Sequence, residues 1–191
     1  MNQKNLLEVD WSKIPAPTDD GAAAHLVGMT IPPIGLLATD DTSVTLSALS
    51  GRTVVLAYPR TGEPGKISLV DDWDMIPGAR GCTPQTCAFR DLFAELKAAG
   101  AGHVFGLSTQ SNVYQTEMAS RLHLPFPVLS DEKLKLTRAL DLPTMQVAGL
   151  TMMKRLALIV DNARITQLFY PVFPPDRNAG DVLAWLKENP V

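Results

Sequence analysis

The chain has 191 residues, of which 46% are hydrophobic and 19% charged, and its formal net charge is −3. These values are ordinary for a globular protein of one domain, and they do not favour the basic surface that nucleic-acid binding requires. No segment approaches the roughly 20 apolar residues of a membrane span, and the first residues lack the apolar run of a signal peptide. We therefore expect a cytoplasmic protein that contacts no membrane.

The N-terminal residues 1–31 are polar or alanine-rich with few periodic apolar positions. We expect them to form an arm that packs onto one domain spanning 32–191. In that domain, the apolar, β-branched run from Thr53 to Tyr58 is stopped by Pro59 and predicts a buried strand. The other predicted strands are 44–46, 103–108, 126–129, 155–160 and 165–170.

Helices alternate with these strands. Thr83 is the expected N-cap of the first, Pro84 its first helical residue and Gly100 its end. The other predicted helices are 111–122, 132–141 and 181–187. Alternating strands and helices, closed by a hairpin and a helix, predict an α/β fold with a central mixed sheet flanked by helices on both faces.

A long loop, residues 60–81, separates the first buried strand from the first helix. It carries four glycines, two prolines and three aspartates. Long loops inside compact domains are often functional, so the loop is expected to be a lid, a partner surface or a solvated connection.

The only cysteines, Cys82 and Cys87, lie five positions apart where this loop enters the helix. Free backbone N–H groups and the helix dipole at a helix start favour a thiolate, the reactive form of cysteine. Cys87 lies one turn further in, so we expect it to be more buried and less acidic. Within an intact helix the two Cα atoms would be roughly 8–9 Å apart, whereas a disulfide requires less than about 7 Å, so a cross-link would require the first turn to unwind.

Other interpretations of the pair remain open at this point. Both thiols could fill the core, or two thiolates could bind a metal. Metal binding would require further ligands, and the histidines His25, His103 and His123 lack ligand spacing. A thiol–disulfide oxidoreductase is the other alternative, although such enzymes use a C-x-x-C spacing.

The stretch around the cysteines resembles the active site of Q-type peroxiredoxins, also called bacterioferritin comigratory proteins, of the alkyl hydroperoxide reductase and thiol-specific antioxidant superfamily. Further similar segments are the strand before the loop, the 124–131 segment, Lys154-Arg155 and the last helix. The matching stretch reads Gly81-Cys82-Thr83-Pro84-Gln85-Thr86-Cys87-Ala88-Phe89-Arg90-Asp91.

The resemblance implies a thioredoxin-like fold and a cofactor-free thiol peroxidase acting on hydrogen peroxide or alkyl hydroperoxides. Cys82 would attack the peroxide and become a sulfenic acid. Cys87 would condense with that acid to a disulfide, which a thioredoxin-like donor would reduce. Arg155 would stabilise the thiolate and hydrogen-bond the peroxide. The protein would be a monomer or homodimer. The alternative hypothesis is a one-cysteine cycle in which Cys87 is inert.

One departure from the family concerns the threonine that normally stands three residues before the reactive cysteine. Ala79 occupies that position and has no hydroxyl. We expect Thr61, at the start of the loop, to fold back and donate from its hydroxyl, with Pro59 shielding the thiol. Thr83 is the alternative source of the hydroxyl.

Overall fold

A seven-stranded mixed sheet forms the centre of the molecule, in a computed structural model that describes residues 9–191. The strands are β1 (Gly35–Ala38), β2 (Ser43–Thr45), β3 (Arg52–Ala57), β4 (His103–Ser108), β5 (Val128–Ser130), β8 (Leu156–Asp161) and β9 (Arg164–Phe169). In space the order is β2-β1-β5-β4-β3-β8-β9, with β4 parallel to β3 and β5 and the other pairs antiparallel. A separate hairpin pairs β6 (Thr144–Val147) with β7 (Leu150–Met153).

Helices cover both faces of this sheet, as the sequence predicts. None of the helices in residues 9–191 is long and apolar enough to cross a bilayer. The helices are α1 (Cys82–Asp91), α2 (Phe93–Ala98), α3 (Asn112–Arg121), α4 (Lys135–Ala139) and α5 (Asn178–Glu188).

Strand β3 lies at the centre and is buried along its whole length. Its side chains alternate between two apolar clusters because successive residues of a strand point to opposite faces. Val54 and Leu56 pack with residues of α1, α2 and α5, whereas Val55 and Ala57 pack with residues of α4 and of the 9–31 segment. The long loop of residues 60–81 therefore follows a strand that is buried at every position.

The first predicted helix is two helices. Leu92 has φ −99° and ψ 11°, so it ends α1 and precedes α2. The apolar stripe continues across this break through Phe89, Phe93 and Leu96, which join one cluster directly or pack against it. Periodicity alone could not reveal the interruption, because side-chain spacing is preserved while the backbone changes direction.

Further elements differ from prediction, among them β1 (Gly35–Ala38), which was not predicted. Helix α4 is shorter than 132–141, because the Asp131 carboxylate accepts the N–H groups of Lys135, Leu136 and Thr137 at 2.8, 3.2 and 2.7 Å. That carboxylate sets the helix start, and the residues before it form a turn. The β6–β7 hairpin was not predicted, although its two-residue turn, Ala148-Gly149 with φ 49° and 77°, is of a common hairpin type.

Candidate active site

Helix α1 begins at Cys82, and Gly81 is its N-cap with φ 106°. The prediction of Thr83 as N-cap is therefore wrong. A Cβ on Gly81 would lie 2.6 Å from Pro175 and 2.7 Å from the Trp11 ring, so only glycine fits both the left-handed backbone and the close approach. Pro84 is the third helical residue, where its missing N–H costs no helical hydrogen bond.

The Cys82 thiol is 3% exposed at the N-terminal end of α1. Its Sγ lies 3.2 Å from the Arg155 Nη2, which donates to it, and 3.6 Å from the Ala79 carbonyl oxygen. The sulfur therefore lies against a fixed cation and at the N-terminal end of a helix, where the helix dipole is positive. The fold brings together Cys82 and Arg155, which lie 73 residues apart in the sequence.

Arg155, which precedes β8, is itself 2% exposed and rigidly held. Nη1 donates to the Gln85 Oε1 at 2.6 Å, and the Gln85 Nε2 donates to Asn178 at 2.9 Å. Nη2 also reaches the carbonyl oxygens of residues 78, 79 and 80 at 3.2, 3.3 and 3.0 Å. The Nε–H is buried and has no hydrogen-bond partner among residues 9–191. Sequence reasoning missed Gln85, although its place one turn after Cys82 points to this contact.

A cavity of about 280 Å³ lies over Cys82. Both candidate hydroxyl residues, Thr61 and Thr83, line it, whereas Ala79 does not. This volume corresponds to about nine water molecules, which is more than hydrogen peroxide needs and near the lower limit for small-molecule pockets. The loop from 60 to 69 forms one wall, with Trp73 and Tyr114 contributing aromatic surface.

Thr61 is buried and held by its own hydrogen bonds. Its N–H and hydroxyl both donate to the Gln110 Oε1, at 2.9 and 3.2 Å, and its carbonyl oxygen accepts from the Tyr114 hydroxyl at 2.9 Å. Pro59 is buried and its carbonyl accepts from Ser108 at 3.2 Å, but it does not line the cavity. The shielding role of Pro59 stays a prediction.

Cys87 lies inside the same helix and, like Cys82, is a free thiol. It is 6% exposed, so the prediction that it is the more buried cysteine is wrong. Burial raises the pKa of the Cys87 thiol above its usual value, which agrees with the expectation of lower acidity. It packs with Met118 of α3 and with Leu122, the residue that follows this helix. Tyr58 belongs to the same cluster, and burial raises its pKa as well.

The long loop is more than a solvated connection. Its residues Trp73 and Ala79 pack with Val147 and Met152 of the β6–β7 hairpin in an apolar cluster of their own. An ion pair of 3.4 Å joins Arg80 to Asp74 within the loop. The loop therefore stands as a packed wall of the Cys82 cavity. Among residues 9–191, no group of three histidine, cysteine or acidic side chains is arranged to hold a metal ion.

The sequence matches known proteins over most of its length. The Redoxin family model matches residues 26–183. The chloroplastic peroxiredoxin Q of Sedum lineare is 32% identical over 162 residues, which cover 84% of this chain and 77% of that protein. The corresponding protein of Triticum aestivum is 31% identical over 177 residues, covering 88% and 73%.

Solved structures agree with the fold. The peroxidoxin BcpB of Mycobacterium tuberculosis superposes with a TM-score of 0.67 at 23% identity, covering 86% of this chain and 98% of that one. A peroxiredoxin Q of Xanthomonas campestris gives 0.66 at 24% identity, covering 93% and 97%. These likenesses confirm the predicted thioredoxin-like fold. Because the Redoxin model matches most of the chain and two peroxiredoxin Q proteins are more than 30% identical to it over more than two thirds of their own length, the chain belongs to the redoxin family and, within it, to the Q-type peroxiredoxins, which are thiol-dependent peroxidases.

Proposed function

We propose that Cys82 is the peroxidatic cysteine, and that it reduces hydrogen peroxide and organic hydroperoxides. The observation that carries this assignment is the 3.2 Å contact between the Cys82 Sγ and the Arg155 guanidinium, at a helix start and under a cavity. The thiolate attacks one peroxide oxygen, so an S–O bond forms while the O–O bond breaks. The departing oxygen leaves with the electron pair and takes a proton from solvent, and Cys82 becomes a sulfenic acid.

The surrounding groups would each have one role in this step. Arg155 holds the thiolate and donates toward the departing oxygen, where negative charge develops. Thr61 supplies the hydroxyl that Ala79 lacks. Pro59 shields the thiol from solvent. This assignment is supported by the shared lining of one cavity by Thr61 and Cys82.

We expect one equivalent of hydrogen peroxide to produce an intramolecular Cys82–Cys87 disulfide. Cys87 is the only other thiol in the chain, and burial raises its pKa in the intact helix. Stopped-flow oxidation followed by mass spectrometry of the thiols measures this. A stable sulfenic acid would indicate the one-cysteine cycle, and a chain-to-chain cross-link would also contradict the prediction.

Thr61→Val should slow Cys82 oxidation on the order of 10²-fold, the range seen when one polar contact to a transition state is lost. Valine keeps the shape of the buried side chain and removes only the hydroxyl. Thr83→Val is the matched control, since Thr83 lines the same cavity. A Thr61→Val rate within about twofold of the parent, with Thr83→Val slow, would transfer the role to Thr83 and contradict the assignment.

We propose that a thioredoxin-like protein reduces the disulfide and that the compartment is the cytoplasm, since the cycle needs a reducing partner. The plant relatives named above are chloroplastic. We also propose an arm of residues 1–31 on a domain of 32–191, acting as a monomer or homodimer. Residues 1–8 lie outside the described part, and Ala23 and Leu26 of the remaining arm are buried against the sheet.

A further inference from the structure

The side chain of Gln110, just beyond the end of β4, contacts three polar groups of Thr61. The Gln110 Oε1 accepts the Thr61 N–H at 2.9 Å and the Thr61 hydroxyl at 3.2 Å, while Nε2 approaches the Thr61 carbonyl oxygen at 3.3 Å. Gln110 is 6% exposed. Nothing in the sequence pattern marks it, because its partner lies 49 residues earlier in the chain.

The backbone of Thr61 fixes the orientation of this amide. A backbone N–H can only donate and a carbonyl oxygen can only accept, so the atom facing the Thr61 N–H must be the amide oxygen. That oxygen has no proton to give, and the Thr61 hydroxyl must therefore donate its own proton to Gln110. The hydroxyl oxygen keeps only lone pairs for a ligand in the cavity, so it faces the ligand as an acceptor rather than as the donor that the sequence predicts.

We propose that Gln110 is the positioning residue that makes Thr61 a hydrogen-bond acceptor for the O–H group of the hydroperoxide. In an organic hydroperoxide, that O–H marks the oxygen that the thiolate attacks, because the alkyl-bearing oxygen is the one that leaves. In hydrogen peroxide the two oxygens are equivalent, and the one whose O–H is bound by Thr61 is the one attacked. Thr61 then holds the attacked oxygen in line with the Cys82 Sγ, while Arg155 faces the departing oxygen. This inference rests on the proposed function and adds the element that sets the direction of the Thr61 hydroxyl.

The support of Gln110 is itself rigid, as a positioning role requires. Its backbone carbonyl accepts from the Ser130 hydroxyl at 2.7 Å and from the Gln115 Nε2 at 3.0 Å, and its N–H donates to the Ser108 hydroxyl at 3.3 Å. Thr61 reaches the cavity from the start of a loop that is altered relative to the family. Gln110 holds Thr61 there by hydrogen bonds, although the family's usual threonine position is occupied by Ala79.

Gln110→Met tests the proposal, because methionine has a similar length and no polar atom that can hold the Thr61 amide. We expect the second-order rate of Cys82 oxidation by hydrogen peroxide to fall by about 10-fold to 10²-fold, the scale of a small misplacement of a reacting group. Alkylation of Cys82 by iodoacetamide should stay within about twofold of the parent, since it depends on the thiolate and not on Thr61. In a Thr61→Val background, Gln110→Met should slow oxidation by less than about twofold further.

Thr137→Val is the control for the loss of a buried polar group, since Thr137 is buried, its hydroxyl donates to Asp131, and it makes no hydrogen bond to Gln110 or Thr61. It should leave the ratio of peroxide oxidation to alkylation near that of the parent. If Gln110→Met does not fold, Gln110→Asn, which retracts the amide by one carbon, serves instead and should lower the same ratio.

The proposal is overturned if the Gln110 variant keeps the parent ratio, if both rates fall together, or if its effect multiplies fully with that of Thr61→Val. Failure of the proposed function looks different. In that case the parent protein itself would not be oxidised at Cys82 by peroxide, and the positioning role would fail with it.

Discussion

Replacing Cys82 by serine should abolish peroxide reduction while the protein remains folded. Serine fits the same buried position, and its hydroxyl can still accept from the Arg155 Nη2, which lies 3.2 Å from the sulfur. A serine hydroxyl does not ionise near neutral pH, however, and so provides no nucleophile for the O–O bond. Turnover measured with a thioredoxin system should fall to the background of the reductant alone.

Cys87→Ser is the control that separates the two thiols. It lies in the same helix and is also buried, so the two substitutions perturb the fold similarly. We expect Cys87→Ser to keep the first oxidation step and lose the disulfide. Turnover of Cys82→Ser above a few per cent of the parent would show that Cys82 is not the nucleophile.

Arg155→Met should slow Cys82 oxidation on the order of 10²-fold to 10³-fold, because it removes both the cation beside the sulfur and a donor to the departing oxygen. Unlike the Gln110 substitution, it should also slow alkylation by iodoacetamide at neutral pH, since it removes the cation that contacts the sulfur. Arg155→Lys should recover only part of the rate. An ammonium is a point charge that cannot reach Gln85 and the sulfur together.

Arg52→Met is the matched control for losing a buried arginine. Arg52 is 8% exposed, pairs with Asp161 at 2.8 Å and belongs to β3, at the end away from the active-site loop. It should lower thermal stability and leave the oxidation rate near the parent value. If Arg155→Met oxidises and alkylates as fast as the parent, the guanidinium does not act on the thiol.

The sequence-based prediction succeeded for elements that are determined by residues close together in the sequence. The strand predicted from Thr53 to Tyr58 is β3, because a β-branched run without polar breaks can only be buried. The helix start at the cysteines was placed within two residues, but its cap was misassigned. Thr83 has the chemistry of a cap, whereas Gly81 has the backbone freedom that the close approach of Trp11 and Pro175 demands.

The contacts that orient the site could not be predicted in this way. Gln110 and Gln85 act across 49 and 70 residues of sequence, and nothing local to either distinguishes it from a surface glutamine. The family resemblance supplied Arg155, because that residue type recurs at a recognisable place. It could not supply Gln110, whose partner Thr61 stands at a position where this chain departs from the family.

The contact of Trp11 with Gly81 links the N-terminal arm to the redox state of the site. The Trp11 Nε1 donates to Asp176 at 2.8 Å, and its ring covers the glycine that caps α1. The cysteines are roughly 8–9 Å apart along an intact helix, so a disulfide requires the covered turn to open. Thermodynamic reciprocity then applies: the factor by which oxidation weakens docking of the arm equals the factor by which release of the arm favours oxidation. If peroxide produces the Cys82–Cys87 disulfide, docking of Trp11 on Gly81 would therefore favour the reduced form of the cysteine pair over the disulfide.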